Sequence, residues 1–269
     1  MSLMDLVKQR RSVRTFDGND LTKEDADKIM EYAGNVSNPY NIPVTFKLVS
    51  AKRDHLSTPV IVGTDTFIVG KIQMGEYVAE AFGYSFEKVV LYAQSLNIGT
   101  TWIAGTMDRP AFEAAAELAE GEIMPAMSPL GYPSNKMSFR EMAMRKGIKA
   151  DKRLEPEKLF FENDFETPFD RNNKVMAELF ELVRWAPSAV NKQPWRIVKC
   201  GNDIHFYEKR DKGYIDNTGF DLQKVDVGIA MSHFAMGLEE KGMKSEFVIS
   251  DPGIITPKDT DYIATYRIQ

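Results

Sequence analysis

The chain has 269 residues, 43% hydrophobic and 27% charged, which is typical of globular rather than disordered proteins. Its net charge of −5 gives no indication of nucleic-acid binding, and no uncharged stretch is long enough to cross a membrane. The single cysteine, Cys200, excludes an internal disulfide and a cysteine-built metal site. Together with the lack of a signal-peptide pattern, it favours a reducing, cytoplasmic setting. At about 150 residues per domain, the length allows one large domain or two small ones.

The first half of the chain predicts alternating helices and strands. Thr22 is suited to cap a helix that runs to about Tyr32, and Gly99 is suited to end a long one. The predicted helices are 4–10, 22–32, 76–97 and 110–118, and the predicted strands are 45–51, 60–63 (the weaker candidate), 100–105 and 125–131.

The composition changes between the halves. Lys136–Arg153 is basic with little strand character, and Leu154–Pro168 is acidic and aromatic without a clear period. We interpret residues 136–168 as an extended surface connection. The expected organisation is therefore a first half at 1–135, this linker, and a second half at 169–269.

The second half repeats the order of the first. Helices are predicted at 171–185 and 221–241, the latter ending at Gly242, and strands at 195–200, 204–208, 244–250 and 262–268. Each half reads helix, loop, strand, strand, long helix, glycine, strand, strand. This indicates an internal repeat and an α+β fold of two similar halves.

Four residues near the N-terminus favour a phosphate site. Arg10, Arg11, Ser12 and Arg14 place three guanidinium groups and a hydroxyl within five residues. Arginine suits phosphate because it donates through a planar fork and keeps its charge. A solvated charge run is the alternative, and charge alone favours it.

A polar loop in the second half has groups suited to a cofactor. Ser188, Asn191 and Gln193 lie between Pro187 and Pro194, so hydroxyl and amide groups stand on a stiff backbone. Such groups suit the polyol chain and heteroatom edge of a bound cofactor. An ordinary helix–strand connection is the alternative.

Small residues mark a third segment. Gly99–Gly105, followed later by Gly131-Tyr132-Pro133, would let the backbone approach a planar ligand closely. A buried strand with a turn is the alternative. No histidine spacing typical of a metal site occurs, and no glycine-rich dinucleotide or nucleotide loop is present, so no metal is predicted.

Together these three segments resemble the FMN-dependent nitroreductase family. The match is to R-R-S-x-R-x-F at residues 10–16, to P-S-x-x-N-x-Q-P-W at residues 187–195, and to the glycine-bounded segment followed by G-Y-P. The resemblance implies a flavin site shared by two subunits, one giving the arginine arm and the other the loop. Here the arm occurs only in the first half and the intact loop only in the second. The chain is therefore similar to the tandem-repeat branch, a fused pseudo-dimer with one complete and one degenerate site and antiparallel or mixed sheets flanked by helices.

The resemblance also implies roles for individual residues. Arg10 and Ser12 would bind the FMN phosphate with Arg11 beside them, and Arg14 would reach the polar edge of the ring, where a cation stabilises the reduced flavin. The remaining cofactor-binding candidates are Ala104 and Gly105 at the ring, Pro187, Ser188, Asn191 and Gln193 from the loop, and Arg140 or Lys136 as a late basic residue on the phosphate.

The expected activity is ping-pong hydride transfer from NAD(P)H through FMN to a small acceptor such as a nitroaromatic or a quinone. No protein acid or base is required, so no catalytic residue is predicted. The alternatives are a flavin-dependent dehalogenase-type enzyme and a non-catalytic flavin-binding or ligand-sensing module. A chain that contains its own dimer interface is expected to be a monomer, and neither half alone should hold FMN.

Overall fold

The computed structural model describes all 269 residues, and the backbone divides into two compact units. The first unit is residues 8–150, and the second unit is residues 151–269 together with residues 1–7. Helix α1 (Leu3–Gln9) begins in the second unit, where the Leu3 amide donates to Glu240 Oε1 at 2.7 Å.

The first unit combines a small antiparallel sheet with four helices. Strand β2 is central and pairs with β1, β3 and β4. The helices are α2 (Lys23–Gly34), α3 (Val78–Ser95), α4 (Arg109–Ala116) and α5 (Phe139–Gly147), and the strands are β1 (Thr45–Ser50), β2 (Thr66–Gln73), β3 (Glu122–Ile123) and β4 (Met127–Leu130). Phe67 of β2 packs edge-on against Phe112 of α4, which joins the sheet to that helix.

The second unit has a five-stranded mixed sheet with two long helices. The strand order is β5-β6-β7-β9-β8, with β5 parallel to β6 and the other pairs antiparallel. The elements are β5 (Phe160–Glu162), α6 (Lys174–Arg184), β6 (Trp195–Cys200), β7 (Asp203–Lys209), α7 (Leu222–Glu240), β8 (Ser245–Val248) and β9 (Thr260–Ile268). Gly237 permits close packing of α7 on α6, because a Cβ there would lie 2.6 Å from Leu182 Cδ1.

The predicted α+β class with antiparallel and mixed sheets is confirmed. Helix α2 begins where it was predicted, since Thr22 Oγ1 accepts the Asp25 amide at 3.1 Å. In both units a helix and loop lead to an antiparallel strand pair and then a long helix. That the units descend from one repeated half stays a prediction.

Two strand predictions were wrong. Residues 100–105 form no ladder, because Thr100 pairs only with Ser12 and Ile103 only with Met127. Residues 60–63 make a single bridge from Val62 to Thr15. The central strand β2 was missed instead. Its residues are buried in a nearly continuous run, so the sequence lacks the alternation that marks a half-buried strand.

The interpretation of residues 136–168 as an extended connection was also wrong. Ser138 caps α5 by accepting the Glu141 amide at 3.1 Å, and β5 enters the second sheet as its edge strand. Helix α5 has no buried apolar face to reveal its period, because Glu141 is its one buried residue and Phe139 and Met142 are exposed, and β5 is only three residues long. No helix in the structure is long and apolar enough to cross a membrane.

Candidate functional site

The arginine arm, residues 10–16, lies beside the other two motif segments of the first unit. The Val13 amide donates to the Thr100 carbonyl at 2.8 Å. Further along, the Asp17 amide donates to the Tyr132 carbonyl at 3.0 Å. Gly99 fits tightly against the arm, because a Cβ on it would lie 3.0 Å from Val13 Cβ. Three segments that are far apart in the sequence therefore meet here.

Two arginines of the arm have buried nitrogens without partners. Arg10 is only 8% exposed, and its Nε and Nη1 have no hydrogen-bond acceptor. Nη1 of Arg14 is likewise buried and unpartnered. Burial lowers the pKa of both guanidinium groups, against the opposing influence of Glu87 on Arg10 and Glu141 on Arg14. A buried donor without an acceptor is costly, so this pair of side chains is suited to an anion.

Two hydroxyls of the segment Gly99–Gly105 are also buried without hydrogen-bond partners. Thr100 and Thr101 are 2% and 1% exposed, and Oγ1 of each lacks a hydrogen-bond partner. Because Thr100 bridges to Ser12 through the backbone, these hydroxyls belong to the same locality as the arm. Hydroxyl and guanidinium donors together form the kind of set that binds phosphate oxygens.

Arg11 differs from its neighbours because a buried carboxylate holds it. Its Nη1 lies 2.7 Å from Oε1 of Glu141, which is 1% exposed. The other oxygen, Oε2, accepts the Arg14 amide at 3.2 Å. Glu141 thus fixes the arm at two points and takes up the charge of Arg11.

A fourth guanidinium, on α5, lies within electrostatic range of the arm. Arg145 lowers the pKa of Arg10 and also that of Arg14, after the larger effect of burial. Arg140 of the same helix is exposed and donates to the Pro59 carbonyl. Lys136 is exposed as well. The electrostatics therefore single out Arg145 as a basic residue near the arm.

The remaining candidates of the first unit present mostly backbone. The Ala104 carbonyl accepts Nη2 of Arg109 at 2.5 Å, so that oxygen is occupied. Gly105 is exposed, and a Cβ on it would meet nothing within 4 Å. Ser12 is half-buried.

The polar loop of the second unit uses its side chains to hold its own backbone. Ser188 Oγ accepts the Gln193 amide at 2.8 Å. Gln193 Oε1 in turn accepts the Leu154 amide at 2.8 Å, and Asn191 Nδ2 donates to the Lys152 carbonyl at 2.9 Å. The loop is thereby fixed to residues 152–154, which the sequence alone did not connect with it.

Backbone strain marks the same loop. Val190, Asn191 and Gln193 have φ values of 43°, 60° and 53°, in the left-handed region that favours glycine. Such positions cost on the order of 1–3 kcal/mol each and concentrate at functional sites. The loop is therefore a candidate functional segment.

A buried pair of carboxyls lies elsewhere in the second unit. Burial, together with the neighbouring Asp221, raises the pKa of Glu208 to about 8. Glu208 is fully buried, and its oxygens meet no N–H donor. A bond to Asp221 forms only when one of the two carboxyls keeps its proton, so the raised pKa follows from the arrangement.

Sequence reasoning missed three charged residues of the first-unit site: Glu87, Glu141 and Arg145. Glu87 is fully buried in α3 and accepts Nε1 of Trp102 at 2.8 Å. Glu141 and Arg145 are four residues apart in α5, on the same face of the helix. That spacing was the available signal, but the segment was interpreted as extended.

Comparison with known proteins identifies the same family that the motifs resemble. The family model described as “Putative TM nitroreductase” matches residues 2–238. A crystal structure described as a “putative nitroreductase” from Thermotoga maritima is similar at 20% identity and a TM-score of 0.63, covering 100% of this chain and 94% of that chain. It shows that this chain shares that fold.

Two further solved structures are similar over about half of the chain. A nitroreductase family protein from Clostridium novyi has 20% identity and a TM-score of 0.43, covering 50% of this chain and 87% of that one. An FMN-dependent nitroreductase from Clostridium difficile has 16% identity and a TM-score of 0.43, covering 51% of this chain and 92% of that one. No curated protein matches the chain.

Proposed function

The chain belongs to the nitroreductase family, whose model spans residues 2–238, and from that premise we propose that it is an FMN-dependent oxidoreductase. In this proposal NAD(P)H is the reductant, and a small molecule such as a nitroaromatic or a quinone is the acceptor. The observation that carries the proposal is the set of buried, unpartnered donors on Arg10 and Arg14. These donors suit FMN, whose phosphate would accept from Arg10 and whose polar ring edge would accept from Arg14, which would offset the cost of burying the two cations.

The arm and its neighbours have separate tasks in this proposal. Arg10 and Ser12 bind the phosphate, with the hydroxyls of Thr100 and Thr101 as further donors. Arg14 holds positive charge where reduction of the cofactor adds negative charge, which favours the reduced form. Arg11 holds the arm in place through Glu141.

The loop of the second unit is also part of the proposal. On the family resemblance, Pro187, Ser188, Asn191 and Gln193 are flavin-binding residues. The chemistry that FMN supplies when bound is acceptance of a hydride from NAD(P)H and its donation to the acceptor. The protein binds and orients the reactants for that transfer, and no side chain is required to move a proton. The fused pseudo-dimer, acting as a monomer, is part of the same proposal.

The experiment that tests the function is anaerobic reduction of the purified protein. We expect a yellow protein with flavin absorbance that NADH or NADPH bleaches, and recovery of the colour when a quinone or nitroaromatic is added. A coloured protein that neither nucleotide bleaches would indicate a flavin-binding module instead. A colourless protein that binds no added FMN would contradict the proposal.

A further inference from the structure

A buried carboxyl of α7 contacts the strained loop of the second unit. Asp226 is 4% exposed, and its Oδ1 and Oδ2 accept the Ala189 amide at 3.0 and 3.1 Å. That amide is the only hydrogen-bond donor that the carboxyl meets. Ala189 is followed directly by Val190 and Asn191, both with positive φ. The contact therefore lies directly before two residues whose backbone angles fall in the left-handed region.

Burial of this carboxyl is costly in itself. Burial raises the pKa of Asp226 well above its ordinary value, and the nearby Asp221 raises it further. An apolar side chain would fill the same space without this cost. The one interaction that offsets this cost is the hydrogen bond from the Ala189 amide. Both the ionised and the neutral carboxyl have an oxygen that can accept this bond.

The bond complements the loop's own contacts. Ser188 Oγ closes the loop by accepting the Gln193 amide, and Gln193 and Asn191 fix its far end to residues 152–154. None of these bonds constrains the Ala189 amide. Strained backbone persists only where its surroundings over-determine it, and Asp226 supplies the constraint that the loop lacks at this position.

We propose that Asp226 is a positioning residue for the cofactor loop: its buried carboxyl fixes the Ala189 amide and thereby holds residues 188–193 in the conformation that binds flavin. The inference rests on the proposed function. It concerns the flavin's contacts with the loop, not the phosphate contacts of Arg10. Loss of the carboxyl should therefore weaken the binding of FMN and of riboflavin by the same factor, since riboflavin differs from FMN only in lacking the phosphate.

The test compares Asp226→Ala and Asp226→Asn with a matched control, Ser232→Ala. Ser232 lies on the same helix, is fully buried and has an unpartnered hydroxyl, so its replacement disturbs α7 without touching the loop. The readouts are hydrogen exchange at the Ala189 amide and equilibrium binding of FMN and of riboflavin. In the alanine variant, hydrogen exchange at the Ala189 amide should be faster. The affinities for FMN and riboflavin should both fall by about tenfold or more, with the ratio of the two affinities unchanged.

The asparagine variant keeps a side-chain oxygen that can accept the bond, so we expect exchange and affinity within about threefold of the wild type. Ser232→Ala should match the wild type. If Asp226→Ala does not fold, Asp226→Leu removes the acceptor while filling a larger volume, and the same losses are expected. Exchange at the wild-type Ala189 amide can be measured regardless of any variant.

Three results would overturn the inference. One is an Ala189 amide that exchanges in the wild type as fast as in an unfolded chain. Another is unchanged flavin affinity in a folded Asp226 variant without an acceptor, and the third is a change in the FMN-to-riboflavin ratio instead of an equal loss. A wild-type protein that binds neither flavin would instead overturn the proposed function itself.

Discussion

Arg11 is held by Glu141: its Nη1 lies 2.7 Å from an oxygen of a carboxylate that is 1% exposed. The adjacent Arg10 has no such acceptor for its Nε or Nη1, although it is more deeply buried. Two arginines next to each other in the sequence thus have different tasks. One is bound within the protein, and the other has donors suited to an external anion.

Replacing Arg11 by Ala should lower the stability of the protein but leave its preference for FMN over riboflavin nearly unchanged. The change leaves the buried Glu141 oxygen without its cationic partner, which costs about 1–3 kcal/mol. Urea unfolding measures the loss of stability, and titration with FMN and riboflavin measures the preference. A stable Arg11→Ala protein that has lost its preference for FMN would show that Arg11 binds the phosphate.

Replacing Arg10 and Ser12 together by Ala should remove the phosphate contacts. Loss of a charge-assisted hydrogen bond costs about 1.5–3 kcal/mol, so FMN should bind at least about tenfold more weakly. Riboflavin affinity should change little, because its contacts do not include the phosphate. A double variant that purifies with its full complement of FMN would contradict the phosphate assignment.

Arg145 and Arg140 form a matched pair on α5. We expect Arg145→Ala to weaken FMN relative to riboflavin, because Arg145 lies within electrostatic range of both Arg10 and Arg14. Arg140→Ala should leave that ratio unchanged, since Arg140 is exposed and donates to the Pro59 carbonyl. The reverse outcome would favour the prediction made from the sequence, in which Arg140 or Lys136 contacts the phosphate.

Gly99→Ala should displace the arm. The new Cβ would come within 3.0 Å of Val13, so the arm must shift and the Val13–Thr100 hydrogen bond must lengthen. We expect weaker FMN binding and a lower melting temperature. Gly34→Ala is the control, because a Cβ there meets nothing within 4 Å and the residue ends α2 away from the arm's contacts. Equal FMN affinities in the two variants would show that the position of the arm does not matter for flavin binding.

Glu208 should make stability depend on pH. Its pKa is raised to about 8 from an ordinary value of 4.5, so the folded state binds the proton more tightly than the unfolded state. Its contribution to stability is complete below about pH 4.5 and is lost as pH rises towards 8. Lys224 opposes the shift, while Asp221 and Asp261 reinforce it.

Glu208→Gln should therefore gain stability over the wild type as pH rises, by at most about 1.4 kcal/mol per pH unit across that interval. Urea unfolding at acidic, neutral and alkaline pH measures the difference. Replacement of the exposed Glu166 by Gln is the control and should show no such trend. Parallel stability profiles for the wild type and Glu208→Gln would contradict the buried, protonated carboxyl.

Much of the fold was accessible from the sequence because its signals are local. Thr22 as a cap, the long apolar helices and the second-unit strands depend on neighbours in the chain, and these predictions agree with the structure. Segment 100–105 failed because its apolar character reflects burial among several partners, none of which pairs with it for more than one residue.

The candidate site was only partly accessible for a related reason. The arm and the loop carry short motifs that a reader can find, so Arg10, Ser12 and Ser188 were predicted. Glu141 and Arg145 carry no motif, and they reach the arm only because α5 folds back towards it. Tertiary contacts of this kind, like the bond from Asp226 to the loop, have no signature in one sequence.

The most direct test of the account is equilibrium titration of the flavin-free wild-type protein with FMN and with riboflavin. The two buried, unpartnered donors of Arg10, Nε and Nη1, predict that FMN binds at least about a hundredfold more tightly, since the phosphate gains two charge-assisted hydrogen bonds. Equal affinities for the two flavins, or no binding of either, would contradict the claim that this arginine arm is a flavin-phosphate site.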